Sequence, residues 1–105
     1  MKKKKDLLKS FIVGVNYPNV SGFEVLELLD ARSAIAEIEN KLTHAEKLEL
    51  EKADSLFLSN LDEFYKSITQ VADLHEMRKG ARIPPSHWWW YIEKLVKSKK
   101  ATVGK

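Results

Sequence analysis

Residues 23–79 read FEVLELLDARSAIAEIENKLTHAEKLELEKADSLFLSNLDEFYKSITQVADLHEMRK, a stretch that contains neither glycine nor proline. Both residues disfavour the interior of a helix, so their absence over such a length predicts α-helix. Gly80 follows the stretch directly. It stands where a residue in the left-handed conformation would end a helix, with Arg78 and Lys79 suited to the negative end of the helix dipole.

Two capping signatures divide this stretch. Ser21 is followed three residues later by Glu24, and Thr43 is followed three residues later by Glu46. In a capping box each of the two residues satisfies a free backbone N–H of the other. We therefore predict one helix over residues 22–41 and a second over residues 43–79, folded as an antiparallel hairpin. One continuous helix is the alternative.

The second predicted helix carries a clear apolar seam. Its members recur four and three residues apart, which places them on one face of a helix. His75 continues this axis, and we expect it to be a hydrogen-bonded residue at the end of the core; a pH-sensitive or ligand-binding group is the alternative. Asp54 lies beside the seam and is expected to be a hydrogen-bonded edge residue. The seam comprises Phe57, Leu61, Phe64, Ile68 and Val71.

The N-terminal segment shows a different pattern. Residues 1–9 are rich in lysine and are predicted to be a flexible basic arm. Residues 10–20 read SFIVGVNYPNV, in which β-branched residues precede turn-forming asparagine and proline. This order predicts an extended lead-in that packs on the helices or pairs with another subunit.

The C-terminal third begins with a short link. After Pro84 and Pro85, Ser86 can cap a third helix over residues 86–99, which we expect to pack across the hairpin. Residues 100–105 are predicted to be a flexible tail. The chain is then one helical domain over residues 10–99.

Composition sets broad limits on function. A chain of 105 residues with 44% hydrophobic and 31% charged residues is typical of one folded domain. It has no cysteine, which excludes disulfides and thiol chemistry. No apolar run is long enough to cross a bilayer, so we expect a cytoplasmic protein without a membrane partner.

Charge is unevenly distributed along the chain. The formal charge is +4 over residues 1–10, −7 over residues 11–63 and +6 over residues 64–105, for a total of +3. A uniformly basic nucleic-acid-binding protein would not contain so acidic a middle. The pattern favours complementary contacts between the ends and the middle, within one chain or between two chains.

The most unusual fragment is SHWWWYI, residues 86–92. Three adjacent tryptophans on a helix sweep about 200° of its surface, which is more than a one-sided core covers. At least one indole is therefore expected to remain largely exposed in a monomer, although complete packing against the other helices is the alternative. Exposed tryptophan, tyrosine and arginine are typical of binding sites. The predicted interaction residues are Arg82, His87, Trp88, Trp89, Trp90 and Tyr91.

These observations predict a non-catalytic protein–protein interaction module that uses the Trp-rich third helix. A homodimer is the simplest form, and a small adaptor or regulatory subunit is another. Binding of nucleic acid by the basic C-terminal third and the lysine arm is the alternative, because aromatic faces next to cations can stack bases and hold phosphates. The basic contacts would be Arg78, Lys79, Lys94 and Lys97.

Signatures of catalysis and of cofactor binding are missing from the sequence. The four glycines are far apart, so no phosphate-binding loop forms, and no Gly-x-Ser-x-Gly motif occurs. No two histidines lie three or four residues apart, and no Glu-x-x-His pair occurs. We therefore expect no enzyme activity, no cofactor and no metal site.

Overall fold

The computed structural model of the protein describes residues 4–103, with side chains over residues 6–98. Within this range the chain forms α-helices and two short 3₁₀ turns, and no β-strand. The predicted all-α class is confirmed. The helices are α1 (Lys4–Val15), α2 (Gly22–Glu37), α3 (His44–Ser59), α4 (Leu61–Ile68), α5 (Leu74–Ala81) and α6 (Ile92–Val103), and the 3₁₀ turns are Glu39–Lys41 and Trp88–Trp90.

The predicted break after the first long helix is confirmed. Helix α2 ends at Glu37 and α3 begins at His44. Thr43 caps α3: the Glu46 backbone N–H donates to Thr43 Oγ1 over 3.1 Å, and the Thr43 N–H donates to Glu46 Oε1 over 2.8 Å. Ser21 and Glu24 make the same reciprocal pair at the start of α2. Both capping boxes therefore form as the sequence predicts.

The predicted extended lead-in is wrong, because residues 10–15 belong to helix α1. Leu8, Phe11 and Val15 recur at helical spacing, and they are 3%, 0% and 0% exposed. A lone strand would leave its backbone groups without partners, whereas a helix satisfies its own. The periodic burial of these side chains therefore outweighs the β-preference of the branched residues.

Helix α1 also changes the predicted hairpin. It packs against both α2 and α3, while α2 contacts the later part of the chain through α4. The place beside α2 that the prediction gave to one long second helix is shared by α1 and α4. The segment over residues 43–79 is itself three helices rather than one.

Asn60 marks the first of the two interruptions in that segment. It ends α3 and precedes α4, and its side-chain Nδ2 donates to the Val15 carbonyl over 2.9 Å. The carbonyls at the end of a helix lack partners within the helix, so Asn60 satisfies one of them at the end of α1. This hydrogen bond ties the α3–α4 junction to the N-terminal helix.

The second interruption follows Ile68, and Asp73 caps α5 by accepting from the Glu76 N–H over 3.2 Å. The predicted seam is buried from Phe57 to Ile68, but Val71 is 37% exposed because the helix has already ended. His75 is exposed as well, so the expectation that it ends the core is wrong.

The core lies where α1, α2, α3 and α4 meet. The rings of Phe57 and Phe64 stack with centroids 5.0 Å apart, and Phe11 approaches Phe57 at 6.5 Å. Gly22 allows α2 to start against α4, since a Cβ there would overlap the Ser67 carbonyl oxygen. The fully buried large side chains are Phe11, Val15, Val25, Leu29, Ile35, Phe57, Leu61, Phe64, Ile68 and Ile92.

The predicted third helix is also shorter at its start than expected. Helix α6 begins at Ile92, and the tryptophans form a separate 3₁₀ turn, Trp88–Trp90, which we call the Trp turn. The predicted flexible arm overlaps α1 over residues 4–9, and the predicted tail overlaps α6 over residues 100–103. Residues 1–3 and 104–105 lie outside the described part of the chain.

Candidate functional site

The Trp turn, the predicted interaction site, is mostly buried. Trp89 is 2% exposed and Trp90 is 4% exposed, while Trp88 is half-buried. The expectation of one largely exposed indole is therefore wrong. It assumed an α-helix lying on one surface, whereas the Trp turn packs against α2 and places Trp88 5.8 Å from the ring of Phe57. The three rings point in different directions, and each of them packs against other parts of the chain.

Ser33 on α2 holds the Trp turn. Its Oγ accepts hydrogen bonds from Trp89 Nε1 at 3.0 Å and from Trp90 Nε1 at 2.9 Å. The same oxygen lies 3.1 Å from His87 Nδ1, and the His87 ring stacks on Trp89. A hydroxyl oxygen has two acceptor sites, so the two indoles occupy both and the hydroxyl proton is left to donate to His87.

A serine next to a histidine can also act as a nucleophile next to its base. Here both lone pairs of Ser33 Oγ are already engaged by indole N–H groups, which lowers the reactivity of the oxygen. Grooves on the described surface are lined by residues other than Ser33 and His87. The geometry of Ser33 and His87 therefore favours a structural role.

Arg32, the neighbour of Ser33, is a buried cation that the sequence analysis missed. It is 5% exposed and makes two hydrogen bonds to Asp54, Nε to Oδ1 at 2.9 Å and Nη2 to Oδ2 at 3.0 Å. Its guanidinium lies 4.3 Å from the ring centroid of Trp89, within the range of a cation–π contact. Its Nη1 is buried without a hydrogen bond, 3.5 Å from Glu39 Oε1.

The pairing confirms the expected edge position of Asp54. Burial raises the pKa of the Asp54 carboxyl above its ordinary value, and the hydrogen bonds and charge of Arg32 oppose that rise. A signal for Arg32 was present in the sequence. It occupies the position between Leu28 and Ile35 where the apolar stripe of α2 requires a buried residue.

Arg78, predicted to be a surface contact, is a second buried arginine. It is 8% exposed and donates to Glu93 Oε1 at 2.8 Å, to Glu93 Oε2 at 2.7 Å and to the Trp90 carbonyl at 2.9 Å. Its guanidinium lies 4.5 Å from the ring centroid of Tyr91. The hydrogen bonds from Arg78 lower the pKa of Glu93. Arg78 therefore ties α5 to the Trp turn and to α6.

The other predicted contacts are exposed, and they do not form one site with the indoles. Arg82, rather than Gly80, takes the left-handed conformation, with φ 54° and ψ 48°, because α5 continues to Ala81. Lys79 lies 3.7 Å from Glu76, and Lys94 lies 5.5 Å from the Tyr91 ring. Lys97 is exposed on α6. Of the predicted residues, the structure brings together Arg78, His87, Trp88, Trp89, Trp90 and Tyr91.

A different surface, between α1 and α2, is open and apolar. This α1–α2 groove has a volume of about 550 Å³. Val13 and Tyr17 lie along it and are 49% and 65% exposed. Gly14 contributes to its floor, where an added Cβ would overlap the Leu28 side chain. The residues that line the groove are Lys9, Ser10, Val13, Gly14, Tyr17, Val20, Glu24, Glu27, Leu28, Ala31 and Phe64.

The groove has one basic side and one acidic side. Lys9 lines it from α1, whereas Glu24 and Glu27 line it from α2. Asp30 follows Glu27 on the same helix and is exposed. Partial burial and the charge of Glu27 raise the pKa of Asp30 above its ordinary value. The extended segment predicted for residues 10–20 includes Val13 and Tyr17, so the sequence pattern did not indicate this groove.

Among the described residues, no group of three or more histidine, aspartate or glutamate side chains is arranged to hold a metal ion. Within the same residues, no helix has both the length and the apolar character that a membrane crossing requires.

Comparison of the chain with protein-family models, with curated proteins and with solved structures finds no match.

Proposed function

We propose that the protein is a non-catalytic protein–protein interaction module that forms a homodimer through the α1–α2 groove. The observation that carries the proposal is the exposure of Val13 and Tyr17 along an apolar groove. Exposed apolar side chains that line one groove, rather than lying singly on the surface, give a partner a concave apolar face to fill. The proposed function is the one expected from the sequence, but its site is the α1–α2 groove instead of the Trp turn.

The state of the Trp turn supports this move. Trp89 and Trp90 are buried, and their N–H groups are already bonded to Ser33. A side chain that stabilises the monomer in this way is not free to bury new surface against a partner. Tyr17, by contrast, has most of its surface left to bury.

Helical geometry also supports a second copy as the partner. Helices α1 and α2 pack against each other and are joined by the short segment of residues 16–21. Two such helical hairpins can pack face to face as a four-helix arrangement, in which apolar side chains of one pair fill the groove of the other. Val13, Tyr17 and Val20 would then be covered by the groove of the partner.

The nucleic-acid alternative has less support. Lys79, Lys94 and Lys97 are exposed and could contact phosphates. The alternative also needs aromatic faces for base stacking, and Trp89 and Trp90 are buried. Arg78, the fourth expected contact, is bonded to Glu93.

Sedimentation velocity over a range of protein concentrations tests the proposal. We expect the wild-type chain to form a dimer, and Val13→Ser and Tyr17→Ser to weaken it because each removes apolar area from the groove. Leu48→Ser and Leu58→Ser are matched controls, since these leucines are 46% and 42% exposed and lie outside the groove. Both controls should dimerise like wild type.

Two results would contradict the proposal. A wild-type chain that stays monomeric at every concentration would exclude the homodimer. A dimer that is weakened by the control substitutions and unaffected by those in the groove would place the interface elsewhere.

A further inference from the structure

The two sides of the α1–α2 groove carry opposite charges, with Lys9 on the α1 side and Glu24 and Glu27 on the α2 side. Glu27 and Asp30 make no ion pair within the described residues, and Lys9 makes none either. Partial burial and, after it, the negative charge of Glu27 raise the pKa of Asp30. A partner that places a cation over the α2 side and an anion over the α1 side would be complementary.

A two-fold symmetric dimer can meet this requirement in one orientation. In a symmetric interface the same surface of both copies takes part. If the two-fold axis runs along the groove, the α1 side of one copy lies over the α2 side of the other. If the axis runs across the groove, α1 lies over α1 and α2 lies over α2. Only the first orientation brings opposite charges together.

We infer that the two copies are related by a two-fold axis along the groove, so that Lys9 of each copy pairs with the acidic row of the other, at Glu27. This inference rests on the proposed homodimer and adds its orientation and its pairing residues. Because the axis repeats every contact, each dimer contains this pair twice. The apolar side chains then provide affinity, and the charges select the orientation.

Charge reversal tests the inference. Lys9→Glu replaces two attractive contacts in the dimer with two repulsive ones, and Glu27→Lys does the same with the opposite sign. We expect each variant alone to dimerise roughly tenfold more weakly than wild type. A loss of affinity of this size is what the interactions of a few exposed charge pairs account for. With the axis across the groove, Lys9 would face Lys9, and the reversal would leave the affinity unchanged.

An equimolar mixture of the two variants separates contacts between chains from contacts within a chain. In the mixed dimer, the two substituted positions would face each other with opposite charges, while the unsubstituted Lys9 and Glu27 would remain paired at the second contact. Each variant chain still carries two like charges in its own groove. Sedimentation equilibrium should therefore show that the mixture dimerises with an affinity near that of wild type. As a control, the thermal unfolding midpoint of each variant should not change on mixing at protein concentrations below dimerisation.

The possible failures are distinguishable. If the wild-type chain is monomeric, the proposed function itself is wrong. If the wild type dimerises through Val13 and Tyr17 but Lys9→Glu has no effect, or the mixture stays as weak as the single variants, the inferred orientation is overturned and the homodimer stands. Weakening of wild-type dimerisation by added salt would agree with the pairing.

Discussion

In the Trp turn and the α1–α2 groove, amino-acid composition and position in the fold give opposite indications of which surface is open to a partner. The Trp turn has the composition of a binding site, and Trp89 and Trp90 are nevertheless buried. The groove has an ordinary composition, and yet Val13 and Tyr17 are about half or more exposed. Aromatic residues therefore indicate where a large amount of apolar surface must be covered, but they do not indicate whether the same chain or a partner covers it.

The difference has a physical cause in the polar groups around each region. An indole N–H needs a partner when it is buried, and Ser33 provides one acceptor for both buried indoles. Arg32 lies over Trp89, and Arg78 binds the Trp90 carbonyl. The groove needs no such partners, since its exposed apolar side chains carry no buried polar atom.

The largest contrast between the two regions should appear in stability. Trp89→Ala removes a ring that is 2% exposed and leaves a cavity, so we expect a loss of about 3–5 kcal/mol in the free energy of unfolding. Tyr17→Ser changes an exposed side chain and should cost about 0.5 kcal/mol or less. Urea denaturation at protein concentrations below dimerisation measures both. Equal losses of stability for the two variants would contradict the expected difference between the buried Trp turn and the exposed groove.

The two ion pairs near the Trp turn offer a finer test. Glu93→Gln leaves the buried Arg78 without its anionic partner, and we expect a loss of about 1.5–3 kcal/mol. Glu76→Gln is the matched control, because the Glu76–Lys79 pair is 3.7 Å apart with both side chains mostly exposed. The control should change stability by about 0.5 kcal/mol or less. Urea denaturation at neutral pH measures both changes in the free energy of unfolding, and equal changes for the two variants would contradict this expectation.

The same pair predicts a response to acid. Because Arg78 lowers the pKa of Glu93 in the folded state, the folded chain binds the proton of Glu93 less readily than the unfolded chain does. The stabilisation from this pair is therefore complete at neutral pH and is lost as the pH falls through the lowered pKa. Between neutral pH and about pH 3, wild type should lose more stability than Glu93→Gln, and the two should converge. Parallel curves would contradict the pairing.

The smallest expected effect concerns the hydroxyl that holds the Trp turn. Ser33→Ala removes the acceptor of two indole N–H groups, and we expect a loss of about 1–2 kcal/mol because the site is half-buried and water can replace part of the bonding. Tryptophan fluorescence should change with it. Ser10→Ala, at an exposed serine of the groove, is the control. Identical results for the two variants would show that Ser33 does not hold the turn.

Much of the fold could be predicted because its signals are local. The capping boxes at Ser21 and Thr43 form as expected, and the seam from Phe57 to Ile68 is buried. The interruptions at Asn60 and after Ile68 were missed. The Asn60 side chain donates a hydrogen bond to the carbonyl of Val15, a residue far away in the chain. No sequence pattern around Asn60 predicts this contact.

The candidate site was harder to predict than the fold. Residue type alone pointed to Arg78 and the tryptophans, of which the structure buries Arg78, Trp89 and Trp90. Tyr17 was not predicted to be a contact, because β-branched neighbours gave its segment an extended appearance. The spacing of Leu8, Phe11 and Val15 was the available evidence for a helix; that helix ends at Val15, so Val13 lies on it and Tyr17 follows it.

The amino-acid sequence by itself determined the helical class, the capped starts of α2 and α3 and the apolar face of the central segment, because these depend on residues within about four positions of one another. Only the tertiary structure decided that α1 packs against both α2 and α3, that Trp89 and Trp90 are buried and that the α1–α2 groove stays open. Those outcomes depend on contacts between distant residues, from 22 positions for Arg32 and Asp54 to 57 for Ser33 and Trp90. No local pattern encodes which distant side chain will supply a hydrogen bond or cover a ring.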